Sequence, residues 1–258
     1  MADRCYKCFR PMSHCLCEYA KPEIDSGIKF VFLMHPKEAK HQRTGTGRLS
    51  HIALKDSEII VGLDFAQNER FQSLINNPKY FPVMMYPGVD AWTARREGFK
   101  EAVGDRTLLV IIIDATWFCS RKIIEHNPEL LKLPRVSFYG EYRSIFTFKR
   151  EPRPEYISTI ETCYYFIKEL QSLNSGDEGN ESENRAGDTH ESPDATSKTA
   201  RLVKDCDPEP LMNVFKAMIK DQLQCENDRL AGKLPDVYAH DWKYKDKKPR
   251  EIPDVIKS

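Results

Sequence analysis

Residues 107–117 read TLLVIIIDATW, and the fold turns on this stretch. Leu108 to Ile113 is the longest apolar run in the chain, far too short to cross a bilayer, and it is the strongest strand signal present. Asp114 ends the strand, and the spacing after it predicts a helix over about 117–126. On the N-terminal side, 28–34 (IKFVFLM) reads as a largely buried strand ending at His35. Residues 58–63 (EIIVGL) and 82–86 (PVMMY, closed by Pro87-Gly88) read as two more, and a fifth is expected near 134–139. Helical spacing recurs at 48–54, at 65–76 (stopped by Asn76-Asn77-Pro78), around 91–102 and over 211–230. Residues 36–47 read as a polar, basic loop. Ser158-Thr159-Ile160-Glu161 has the form of a capping box and starts a helix running to Leu170.

Strands alternating with helices specify an α/β fold, a largely parallel sheet flanked by helices. Ligands of such sheets sit beyond the carboxyl ends of the strands. His35, the Pro87-Gly88 turn and Asp114-Ala115-Thr116-Trp117 all fall there, so one site is expected where they converge.

Four of the eight cysteines crowd into the first seventeen residues: Cys5, Cys8, Cys15 and Cys17. C-x-x-C followed by C-x-C suits a tetrahedral thiolate site for structural zinc, with His14 able to replace one member. Free thiols and an iron–sulfur cluster are the competing readings. The knuckle would also present Lys7 and Arg10 to RNA.

Hydrophobic residues make up 40% of the chain and charged residues 30%, the balance of a globular protein without membrane segments. No apolar stretch follows the basic residues of the N-terminus, so a cytoplasmic location is expected, or a nuclear one in a eukaryote. The zero net charge hides an acidic segment: 174–200 carries seven acids against two bases. It is almost devoid of apolar side chains and is expected to be disordered. The expected organisation is a cysteine knuckle over 1–22, an α/β domain over 23–173 and 206–242, an acidic insert over 174–205 and a basic extended tail over 243–258.

The loop from Lys40 to Arg48 is basic and contains glycine but lacks P-loop spacing. Arg43 and Arg48 are candidates for phosphate contacts and Thr46 for a cofactor carboxylate, against the plainer reading of a solvated basic face. Arg95, Arg96, Arg121, Lys122 and Lys243 to Arg250 would extend a path for a polyanion. For the DATW segment alone, a helix cap by Asp114 or Thr116 with Trp117 packed in the core explains the residues as well as chemistry does.

The order of motifs changes that weighing. C-x-x-C…C-x-C, the segment from His35 to Leu49, Met84-Met85-Tyr86-Pro87-Gly88, DATW, Tyr142-Arg143-Ser144, Pro152 and Ser158-Thr159-Ile160-Glu161 together resemble the DTW-domain family of tRNA-uridine aminocarboxypropyltransferases. The resemblance runs from Cys5 to about Leu170. That family is related to SPOUT-type methyltransferases, so the resemblance implies a SPOUT-like sheet with a deep C-terminal knot. It implies S-adenosylmethionine as substrate, tRNA as partner, and transfer of the 3-amino-3-carboxypropyl group to N3 of a uridine. Asp114 would act as general base, Thr116 would position it, and Trp117 would wall the pocket or stack on a base. Backbone at Tyr86, Pro87 and Gly88 would read the adenine. Arg143 and Glu161 would hold the charged ends of the methionine arm, although the capping box already accounts for Glu161. Lys149-Arg150 stands where the family has Arg-Lys, and both are candidates for RNA. A SPOUT-like RNA methyltransferase and a non-catalytic zinc-knuckle RNA-binding protein are the rival readings.

Overall fold

The computed structural model describes residues 3–41, 45–146, 156–174, 202–234 and 248–257. Five strands form one sheet: β1 (Lys29–Met34), β2 (Ser57–Val61), β3 (Tyr80–Met85), β4 (Thr107–Asp114) and β5 (Arg135–Val136). All neighbouring pairs are parallel, in the order β2-β1-β4-β3-β5. The α/β expectation holds, and all five strands lie where the sequence places them.

The central pair, β1 and β4, is buried along almost its whole length because helices cover both faces. Side chains of a strand point alternately to opposite faces, and two cores follow from that. Phe30, Phe32, Val110 and Ile112 face one side, with Val83, and pack against α2 (Thr46–Ala53), α6 (Thr159–Asn174) and α7 (Glu209–Leu230). Val31, Leu33, Leu109 and Ile111 face the other, packed with Phe71 and Leu74 of α3 (Glu69–Ile75) and Ile123 of α5 (Trp117–His126). Lys29, the one charge in β1, reaches Asp56 at 2.8 Å and Glu58 at 3.7 Å.

Four expectations need correction. The helix expected over 91–102 is only α4 (Phe99–Val103). Trp92 instead forms a bridge beside β5, its N–H donating to Arg135 O at 2.7 Å, and Gly98 takes φ +81°, which cannot continue a helix. The supposed loop after His35 opens with α1 (Pro36–His41), begun by a proline whose fixed φ suits a first helical position. The acidic insert expected to run to 205 stops short of it: Leu202 and Val203 are core residues and Lys204 N–H donates to Ser26 O at 2.8 Å, so the body resumes at 202. Residues 175–201 lie outside the described residues.

The C-terminal tail is the fourth. The Asn227 side chain donates through Nδ2 to Arg250 O at 2.8 Å and accepts the Arg250 N–H on Oδ1 at 2.9 Å, and α8 (Asp254–Lys257) buries Ile256. Its end is therefore docked on α7 rather than extended. Residues 243–247 are outside the described set. No helix among the described residues is long and apolar enough to cross a membrane.

Candidate active site

Asp114 is the last residue of β4, at the centre of the sheet's carboxyl edge, and is 5% exposed. Its Oδ1 accepts a 2.8 Å hydrogen bond from Thr159 Oγ1, the first residue of α6. From the opposite side Gly47, in the first turn of α2, lies so close that a Cβ there would sit 2.4 Å from Asp114 Oδ2. The first turns of two helices therefore flank this carboxylate, an arrangement that favours negative charge.

Above Asp114 lies a cavity of about 290 Å³. The turns after β1 supply Glu38, Gly45 and Thr46; those after β3 and β5 supply Tyr86, Pro87, Ser137, Phe138 and Tyr142. Tyr156 to Thr159 line the side toward α6. Three acids, Glu38, Asp114 and Glu141, line it, and no lysine, arginine or histidine does among the described residues. The charge of this described lining favours a cation over an anion.

The loop from β5 is held by Glu169, which accepts from Tyr139 N–H (3.2 Å), Gly140 N–H (3.0 Å) and Tyr142 Oη (3.0 Å). Burial pushes the Glu169 carboxyl above the usual range, and burial likewise raises the Tyr142 phenol. Tyr142 stacks on Tyr165 with centroids 3.9 Å apart.

The structure brings Asp114, Thr46, Tyr86 and Pro87 to one cavity and places Gly88, Thr116, Arg143, Glu161 and Arg48 outside its lining. Gly88 lies against the guanidinium of Arg135, where a Cβ would meet Nη1 at 2.6 Å. Thr116 caps α5, accepting from Cys119 N–H at 3.4 Å. Arg143 is exposed and outside the cavity lining. Glu161 is fully buried beneath the cavity, accepting from Ser144 Oγ, Ile145 N–H, Ser158 N–H and Ser158 Oγ at 2.6–2.8 Å. It ties loop 144–145 to the start of α6. Arg48 is half-buried, donates to Ala39 O at 2.9 Å and lies 4.2 Å over the Phe9 ring; burial lowers its pKa. The Trp117 side chain, Arg43, Lys149 and Arg150 lie outside the described residues.

Glu38, Gly47 and Thr159 were missed as site residues. Their positions in the chain are suggestive only once the fold is known. Glu38 is in the first turn after a strand end, and Gly47 and Thr159 stand at the starts of helices that aim at the sheet edge.

The four N-terminal cysteines also converge. Cys5 and Cys17 Sγ are 3.6 Å apart, Cys8 and Cys15 Sγ 3.9 Å, and all four lie within 4.8 Å of one another. Zn–S bonds of about 2.3 Å give a tetrahedral S···S edge of about 3.8 Å, so the cluster can hold a metal ion. The backbone N–H groups of Cys8 and Lys7 bring the Cys5 thiol down to about 6, while burial raises that of Cys17. His14 is not a member: its Nδ1 pairs with Asp221 Oδ1 of α7 at 2.7 Å, and Arg10 pairs with the same carboxylate. Leu16 and Ala20 carry the knuckle into the core. Chelation, or Cys5→Ser, is expected to remove about one equivalent of zinc per chain and to lower the melting temperature by about 2–4 °C per kcal/mol lost. Metal analysis and a melting curve check this, and an unchanged melting curve in the metal-free protein would rule out a structural ion.

A family model described as DTW domain matches residues 2–223, which span the knuckle, the sheet and most of α7. No solved structure matches the chain.

Proposed function

The chain belongs to the DTW-domain family, and on that premise we propose that it transfers the 3-amino-3-carboxypropyl group of S-adenosylmethionine to N3 of a uridine in tRNA. Membership is consistent with a tRNA-modifying enzyme. The finer reading rests on one observation: a cavity lined, among the described residues, by three acids and no basic side chain, with a buried carboxylate at the end of the central strand. A sulfonium and an ammonium are the two positive centres of S-adenosylmethionine, and such a lining favours both.

In this reading the adenosine lies against Met85, Val136 and Phe138, and the turn at Tyr86 and Pro87 offers backbone groups to the adenine edge. Uridine N3 carries a proton at neutral pH. Asp114 accepts that proton as N3 attacks the arm carbon bonded to sulfur. The N–C bond forms, the C–S bond breaks, and its electron pair neutralises the sulfonium, releasing methylthioadenosine. Thr159 fixes the rotamer of Asp114, and Gly47 leaves room for it. The knuckle holds zinc in a structural role.

Incubation of the protein with S-adenosylmethionine and unmodified tRNA tests this by product identity. Methylthioadenosine, and uridine heavier by the aminocarboxypropyl group, are expected. S-adenosylhomocysteine with methylated RNA would instead make it a methyltransferase. Binding of tRNA with neither product would make it a binding protein.

A further inference from the structure

Glu38 is a second acid at the cavity, and nothing in the reaction above uses it. It lies in α1, immediately after β1, is 8% exposed and lines the cavity. Its Oε1 accepts the Thr116 N–H at 3.3 Å. Among the described residues that is its one hydrogen bond, and a single long bond compensates a buried carboxylate poorly, whereas Glu161, fully buried, accepts four short ones. The contrast marks Glu38 as an acid built for an external cation.

The sheet order says which cation. With strands arranged β2-β1-β4-β3-β5, Asp114 at the end of β4 divides the cavity in two. On the β3 and β5 side the walls are Met85, Val136 and Phe138, together with the Tyr86-Pro87 turn; Ser137, Tyr142 and the exposed Glu141 follow β5 there. That side suits a flat, largely apolar base. On the β1 side stand Glu38, Gly45 and Thr46, a carboxylate beside the start of α2, which suits an ammonium.

From this division, and building on the proposed reaction, we infer that Glu38 binds the ammonium of the aminocarboxypropyl arm and so fixes the carbon presented to the uridine. A sulfonium offers three carbons to a nucleophile. Pinning the arm's far end on the β1 side while the adenosine is held on the β3 side stretches the arm across Asp114. The arm carbon next to sulfur then lies beside the base, and the methyl group points elsewhere.

Calorimetric titration of Glu38→Gln with two ligands tests this without tRNA. Glutamine keeps an acceptor for Thr116 N–H and removes only the charge. Affinity for S-adenosylmethionine is expected to fall about 10- to 100-fold, while affinity for methylthioadenosine, which lacks the arm, stays that of the wild type. Glu38→Asp, which keeps the charge, is expected to recover part of the loss. An equal fall for both ligands would make Glu38 a structural residue and overturn the inference, as would no change for either. A wild-type protein that binds neither ligand would overturn the proposed function itself.

Discussion

Asp114→Asn is expected to lower turnover by about 10²- to 10⁴-fold, the range for loss of a general base, while tRNA affinity stays close to that of the wild type. Asparagine keeps the shape and still offers an oxygen to Thr159 Oγ1, whose bond to the aspartate is 2.8 Å. What it loses is the ability to take the N3 proton and the negative charge that faces the sulfonium. Removing a buried charge lessens a desolvation cost but gives up the favourable field of the two helix starts, so the melting temperature is expected to stay within about 2–4 °C of the wild type. Single-turnover rates at saturating S-adenosylmethionine, alongside tRNA titration, check the point. Wild-type turnover would take the carboxylate out of the chemistry; a parallel collapse of tRNA binding would give it a structural part.

Gly47→Ala should be nearly as damaging, for a reason seen only in three dimensions. Gly47 has ordinary helical backbone within α2, so its conformational freedom is not what the position needs. On propensity alone, alanine there would stabilise the helix by about 1 kcal/mol. The added Cβ, however, would sit 2.4 Å from Asp114 Oδ2 and 2.8 Å from Oδ1. Overpacking costs of about 1–3 kcal/mol exceed the propensity gain, so a net loss of stability is expected. Displacing the carboxylate by even about 1 Å costs on the order of 10²-fold in rate. The double variant Gly47→Ala with Asp114→Ala separates the two effects: stability should return because the clash is gone, while turnover stays lost. Failure of the second substitution to restore the melting temperature would mean that the damage at 47 comes from elsewhere.

These two residues show how far the sequence could be read. Asp114 was legible because it ends an apolar run of strand character, and strand ends at the carboxyl edge are where such folds place ligands. All five strands were legible for the same reason: period and length are local properties. Gly47 was not, because its requirement is set by an atom sixty-seven positions away, and an isolated glycine at a helix start has many local explanations. Glu38 was hidden by a wrong assignment, since a six-residue helix gives too few turns for periodicity to register. Glu161 illustrates the opposite outcome. Its capping box was visible, and the structure spends the whole carboxylate there and on the loop at Ser144 and Ile145. Trp92 has helical spacing in the sequence, while its pairing with Arg135 and Ser137 is a tertiary contact that no local pattern carries.

The seam between the knuckle and α7 has a consequence for synthesis. His14 and Asp221 are 207 positions apart, so at about 5–20 residues per second the ribosome needs roughly 10–40 s to supply the aspartate after the histidine. The four thiols are complete within the first seventeen residues and can close on an ion as soon as they emerge. Capture of a metal ion would therefore precede docking, and a nascent chain without one would carry four bare thiols through most of its translation.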